Sequence, residues 1–526
     1  MPVTYASPGV YVEEVDKGTK PIEAAGASIA AFIGITAEAS RKSTDPDTGE
    51  RVPVEPVLNQ ATLITSWTQY TDTFGGFADG AYLPDAVYGY FANGGGPCYV
   101  TSVRALDEGD SDVSTAEVTI PTSGRGNSFR VVARTPGPSG NNLTVTIRHD
   151  APPEKEGEEE EEAAPETFTM SVGGQTKSGL GMKKTGDSYI GEAKFDAVTI
   201  EDVGSASAMP EEGSYDLSGG GLQSLTVEDF VGDAGERTGL GGLEAVDEVS
   251  LVVCPDLMAG YDGSDKAKEQ VKAVQEALIS HCERLRYRFA VLDTPPGLNA
   301  QQAKEWREYL NFDSSYAALY YPWLRVPNIG GEGGSTSKLV PPSGYMVGIY
   351  NRSDGERGVH KVPANEVVRG AIDLELQLSK GEQDVLNPIG VNCIRAFPGR
   401  GIRVWGGRTL SSDGAWRYIN VRRLFNMVGA SLDQGLQWVV FEPNNHALWA
   451  KVRRDITSFL RVVWRSGALF GTTPEQAFYV KCDEELNPAE IRDLGQLIIE
   501  VGLAPVKPAE FVILRLSQWA GANAEA

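Results

Sequence analysis

No apolar run in this 526-residue chain approaches the roughly 18 residues that span a bilayer, so direct membrane insertion is not expected. The opening MPVTYASPGVYVEEV has neither a basic n-region nor an apolar h-region, so a Sec signal peptide is not expected. No G-x-x-x-x-G-K-[ST] occurs, so nothing would cradle nucleotide phosphates. The four histidines (His149, His281, His360, His446) are scattered singly, and no H-E-x-x-H or G-x-S-x-G appears. A zinc centre and an esterase-type nucleophile elbow are therefore not expected, and no cofactor is implied. Five cysteines (Cys98, Cys254, Cys282, Cys393, Cys482) are far apart, odd in number and without a C-x-x-C pair. Reduced, buried thiols follow, as in a chain made in the cytoplasm.

Sixty Gly and thirty Pro indicate many turns and a sizeable β component, and the length allows two to four domains. The net charge of −25 argues against wrapping nucleic acid with the whole surface. That charge is unevenly spread. Val391 to Arg465 holds twelve Arg or Lys (Arg395, Arg400, Arg403, Arg408, Arg417, Arg422, Arg423, Lys451, Arg453, Arg454, Arg461, Arg465) against four acids, so this stretch is basic inside an acidic chain. Such segregation suggests surfaces for partners of opposite sign.

Along the chain, residues 1–20 read as an extended arm and 21–104 as the first part of an α/β core, with strands near 28–35, 61–66 and 98–103 and a helix over 83–92. From 105 to 245 short alternating segments punctuated by Gly, Ser and Asp read as an inserted β-rich domain. Within it, 154–166 (EKEGEEEEEAAPE) has eight Glu and one Lys and reads as a solvated loop. Residues 246–386 return to α/β: strands at VSLVVCPD, 288–293 and 316–321, and helices over 265–285 and 299–310, the latter started by Asn299 with Gln302 three residues on. VLDTPPG (291–297) resembles the Walker B strand of ParA-like ATPases, but without a phosphate loop Asp293 has no nucleotide-bound metal to hold. Residues 387–506 read as an α+β C-terminal domain, ending in a helix capped by Asn487 and closed by Gly502. Residues 507–526 read as a second arm and tail.

Two patterns point to partners. At roughly 100° per residue, the helix from Asn445 to Arg465 puts Leu448, Trp449, Val452, Ile456, Phe459, Leu460 and Val463 on one side. Lys451, Arg454, Arg461 and Arg465 fall on the other, with Ser458 in the gap. The second pattern is a pair of extended terminal segments with no hairpin partner in sequence: Val10, Tyr11, Val12 and Val15 at one end, Phe511, Val512, Ile513, Leu514 and Leu516 at the other. Unpaired strands invite pairing with another chain.

The wording NPIGVNCIRAFPGRGIRVWGGRTL, YINVRRLF, FEPNNHALWAKVRRDITSFL and LFGTTPEQAF resembles contractile tail sheath proteins of phages and related bacterial injection systems. YASPGVYVEEV, RTPGPSGNNLTVTI and LVPPSGYMVGIYNRSDGERGVHKVPANE add to it. The resemblance implies an α/β core of subtilisin-like sheath fold and a structural rather than enzymatic role. It implies stacked hexameric rings around an inner tube protein, ended by baseplate and terminal cap proteins. The tube would meet Lys451, Arg454, Arg461 and Arg465, and the two arms would add strands to neighbouring subunits. Assembly in the bacterial cytoplasm into a phage tail or injection particle would follow. A nucleic-acid-binding protein using the 395–465 block and an α/β hydrolase are the alternatives.

Overall fold

The computed structural model describes residues 22–44, 51–106, 113–122, 124, 126–134, 138–150, 167–184, 188–204, 208–222, 225–329 and 336–516. The chain divides into a larger unit (27–357 and 362–422) and a smaller one (1–26, 358–361 and 423–526).

The larger unit is built on an eight-stranded sheet. Its strands are β1 (Ala30–Thr36), β2 (Thr62–Ile64), β3 (Cys98–Ala105), β4 (Leu251–Val253), β5 (Phe289–Asp293), β6 (Ala317–Tyr321), β7 (Val391–Phe397) and β8 (Gly401–Val404). They lie in the order β8-β7-β6-β5-β4-β1-β3-β2. The six inner strands are parallel, and β2 and β8 close the two edges antiparallel. Continuous apolar runs such as AAFIGIT and LVV are what a strand covered on both faces requires. Alternation then sorts them: Phe32, Leu251, Val253 and Val291 enter one core, Ile33, Val252, Ala290 and Leu292 the other.

Helices α1 (Leu83–Ala92) and α4 (Ser343–Arg357) cover the first face. Helices α2 (Asp265–Leu285) and α3 (Ala300–Leu310) cover the second through Val271, Leu278, Ala303 and Trp306. The expected capping box is present: Asn299 Oδ1 accepts from Gln302 N at 2.9 Å, and Gln302 Oε1 accepts from Asn299 N at 2.9 Å. Helix α4 was not expected from the sequence. The last two strands of the sheet come from the segment read as the start of the C-terminal domain.

Between β3 and β4 lie three antiparallel sheets among the described residues: one of four strands (Gln175–Leu180, Phe168–Val172, Thr144–His149, Gly213–Asp216), one of three (Val198–Glu201, Asn127–Ala133, Glu117–Pro121) and a short pair (Val113–Ser114, Gly221–Leu222). One apolar cluster joins the first two, with the rings of Phe129 and Phe168 6.0 Å apart. The glutamate run 154–166 lies outside the described residues.

The smaller unit holds helix α5 (Ile419–Gly435) from Arg423 on, helix α6 (His446–Arg465), and a two-stranded antiparallel sheet of β9 (Phe478–Lys481) and β10 (Glu500–Leu503). Two expectations are corrected here. The helix expected from Asn487 to Gly502 is one short turn, Ala489–Asp493. Gly495, at φ +71°, follows it, and Glu500–Leu503 pair with β9 instead. Asn487 is not a cap; its buried side chain ties Asp483 O and Ile498 O and accepts from Ile498 N at 2.7 Å. Residues 510–516, expected as a strand, carry no regular secondary structure and belong to none of the sheets among the described residues.

Candidate functional site

In an open parallel sheet, ligands bind where the strand order turns round, at the carboxyl ends of the strands. Here that crevice lies between β1 and β4, and a side chain of the chain itself enters it. Asp256, just past β4, accepts hydrogen bonds from Ile35 N (2.6 Å), Leu83 N (3.1 Å) and Tyr82 N. Its carboxylate thus sits at the N-terminus of α1, the position a phosphate would take in a nucleotide site. Gly34 is required beside it, since a side chain there would collide with the carboxylate. Burial pushes the Asp256 carboxyl up to about 7, although the three N–H groups pull it down. Asp293, the residue of the Walker-like wording, ends β5 and is treated the same way. Its carboxylate accepts from Ser343 N (2.8 Å) and Ser343 Oγ (2.5 Å) at the start of α4, and burial raises it to about 7. Both carboxylates are structural caps.

Two of the four histidines, His281 and His149, are held close to polar partners. His281 Nε2 lies 2.7 Å from Arg288 Nη1, and burial drives its pKa down to about 3. His149 Nε2 lies 2.8 Å from Pro210 O, and His446 is exposed with its ring against Trp449. All five cysteines are buried and unpaired.

Most arginines of the basic block in the larger unit have internal partners. Arg395 donates to Leu378 O and Gln383 Oε1, Arg400 to Asn365 Oδ1, Arg403 to Asn365 O, and Arg408 to Asn387 O. Arg422 lies over the rings of Trp416 (3.9 Å) and Tyr316 (4.6 Å).

Helix α6 differs. Asn445 caps it by accepting from Ala447 N and Leu448 N, each at 3.0 Å. Leu448, Trp449, Val452, Ile456, Phe459, Leu460 and Val463 are all buried, as the wheel required. On the opposite side Arg454, Arg461 and Arg465 are exposed, with exposed Ser458 between them. Lys451 is half-buried, its Nζ 3.9 Å from the centre of the Trp438 ring. Arg454 Nε reaches Asp455 Oδ1 at 3.3 Å. Asp455 is buried, and its Oδ2 has no hydrogen-bond partner among the described residues. The wheel did not single out this flanking acid, nor exposed Val462 beside the stripe.

The C-terminal arm residues Phe511, Val512, Ile513, Leu514 and Leu516 are described and are 70–96% exposed. Val10, Tyr11, Val12 and Val15 lie outside the described residues. The chain just after them is anchored: Ala25 N donates to Ser431 Oγ at 2.9 Å, and Ile22 packs where a side chain on Gly435 would otherwise be.

The profile described as "Phage tail sheath protein central domain" matches residues 237–410, and "Phage tail sheath C-terminal domain" matches 411–518. Together they take in more than half of the chain. The chain belongs to the phage tail sheath family. Among relatives, the tail sheath protein of Escherichia phage P2 is 27% identical over 55% of this chain and 70% of its own length. A putative prophage major tail sheath protein of Pseudomonas aeruginosa (strain UCBPP-PA14) is 26% identical over 56% of the chain and 74% of its own. The match to the Vibrio phage KVP40 tail sheath protein, 23% identical over 58% of the chain, takes in only 46% of that protein. Among solved structures, the helical sheath of the anti-feeding prophage in contracted state aligns at TM-score 0.56 and 25% identity, over 98% of this sheath-family chain and all of that one. The PVC sheath of an extracellular contractile injection system, also contracted, aligns at TM-score 0.58 and 23% identity.

Proposed function

We propose that the chain is the structural subunit of a contractile sheath. It polymerises as stacked hexameric rings around an inner tube, between a baseplate and a terminal cap, and contracts to drive the tube through a target envelope. The observation that carries this reading is the family match over 237–518, joined to a fold shared along almost the whole chain with a sheath in its contracted state. The mainly parallel sheet with helices on both faces supports reading the core as subtilisin-like, with residues 105–245 as an outward insertion. Assembly in a bacterial cytoplasm fits the five buried, unpaired thiols. Negative-stain images of the purified protein test the proposal: long striated tubes are expected, and compact particles would overturn it.

In this reading α6 faces the tube. Its exposed cations would meet an acidic tube surface, and screening makes such contacts weaken with salt. The sequence alone selects Arg454 and Arg461 for charge reversal. The structure shifts the choice to R461E with R465E, because R454E would also set a second negative charge beside buried Asp455. The double variant is expected to keep its melting temperature and to lose about tenfold or more in tube association at low salt. Undiminished co-assembly would sink the tube-facing role.

The arms would link subunits. β9 and β10 form a sheet of only two strands among the described residues, which leaves backbone edges to be paired, and Phe511–Leu516 offers an exposed apolar strand-former. The alternatives are disfavoured. The arginines nucleic acid would need are mostly turned to internal carbonyls and rings. A hydrolase would need a free histidine beside a nucleophile, and buried His281 is held by Arg288.

A further inference from the structure

Phe441 combines two features that oppose each other. Its backbone is left-handed, with φ +68°, and its side chain is wholly exposed. A bulky residue with positive φ is strained, and such strain persists only where the surroundings impose it. Among the described residues it is the only aromatic one with positive φ; the other non-glycine cases are Asn, Asp and Arg. The strain brings Phe441 no burial among the described residues. Yet the loop is not loose: Val439 N bonds Leu436 O at 2.9 Å, and Glu442 N bonds Val439 O at 3.1 Å. Neighbouring Val440 is also exposed, so two apolar side chains leave the loop together. The loop is tied to the basic face of α6, because Lys451 lies on the ring of Trp438, three residues before Phe441.

We propose that Phe441, with Val440, is an apolar anchor that enters a pocket on the same acidic-faced protein that meets Arg461 and Arg465. The inference rests on the tube-facing reading of α6 and adds the contact that supplies affinity. Charges on the helix steer and orient, while a rigidly presented aromatic contributes most of the energy at the centre of an interface. The occupant follows from continuity with the basic stripe: a partner that complements those cations is acidic around an apolar hollow.

The test compares F441A and F441G with R461E/R465E in the full chain, using the tube protein co-expressed from the same particle. F441A should lower tube association about tenfold to a hundredfold, with little dependence on salt. The stripe variant should lose association mainly at low salt. F441G should bind as poorly as F441A yet melt at the same temperature as the wild type or higher, because glycine relieves the strained backbone. Wild-type tube association in both Phe441 variants overturns the anchor even if the stripe variant fails. A salt-independent loss in the Phe441 variants with an unaffected stripe variant keeps the anchor and removes the tube-facing helix. Lowered melting temperature in F441G, or loss of sheath self-assembly without tube, also overturns it, since Phe441 would then serve the fold or a second copy.

Discussion

Removing residues 511–526 is expected to leave a folded monomer that no longer forms sheaths. Residues 511–516 carry no regular structure, and their five large apolar side chains stand exposed. A soluble monomer normally does not spend FVILRL on solvent, and such a patch marks an interaction site. As a strand added to a neighbour's sheet, it would make roughly four to six backbone hydrogen bonds at about 1 kcal/mol each. Burying two or three of its side chains adds about 1.5–3 kcal/mol apiece, offset in part by ordering the segment. Several kcal/mol per subunit, repeated along a polymer, separates a tube from a pool of monomers. The melting temperature of the truncated chain should match the full one, while light scattering and images should show monomer only. Normal sheaths from the truncation would end the linkage reading.

Removal of residues 1–16 tests the other arm in the same way. Its root is held on α5 by Ala25 and Ile22, and the deletion leaves both contacts in place. A folded, non-polymerising product is expected there too.

What could be read from the sequence follows from where the deciding physics is local. Helices α2 and α3 announce themselves through Ser264, Asn299 and Gln302 and a clear apolar face. The core side of α6 follows from spacing alone, because one side packs and the other is wet. Helix α4 hides for the opposite reason. Buried residues lie all round it, so no period shows, and glycine in its middle argues against a helix. Those glycines make sense only in the fold: a side chain on Gly344 would strike Ala86, and one on Gly348 would strike the Tyr90 carbonyl, both on α1. Likewise the stretch before Gly502 has a helix-like start, but Glu500–Leu503 form a strand once β9 lies beside them, with Val501 opposite Val480. The left-handed Phe441 and the buried flank of Asp455 have no sequence signal, since neither follows from composition or period.

The buried carboxylates Asp256 and Asp293 should make the protein lose stability as pH rises from 5 to 8. Each has a folded-state pKa raised by burial from 3.8 to about 7. A group raised in this way binds its proton more tightly folded than unfolded. Its stabilisation is fully present below the unfolded value and is lost as pH rises through the folded one. At about 1.4 kcal/mol per pKa unit, pH 5 to 8 removes about 2–3 kcal/mol for each group. The groups that act on Asp256 are Asp85, which raises it further and is itself paired with Lys338 at 2.8 Å, and the three backbone N–H donors. Asp293 answers mainly to Ser343. The two substitutions to asparagine should then diverge. In D293N the amide oxygen can accept from Ser343 N while its nitrogen donates to Ser343 Oγ, so the cap survives without a charge. That variant should be close to the wild type at pH 5 and more stable at pH 8. In D256N three backbone donors converge on a group with one accepting oxygen, and its N–H₂ faces a donor. A buried donor is left unpaired, which costs about 1–3 kcal/mol before any strain in Gly34 and α1 is counted. D256N should therefore melt lower than the wild type at pH 5, where D293N does not. Denaturant unfolding of the three proteins at pH 5 and pH 8 measures both effects. Parallel pH profiles for D293N and the wild type would show that Asp293 does not titrate in this range.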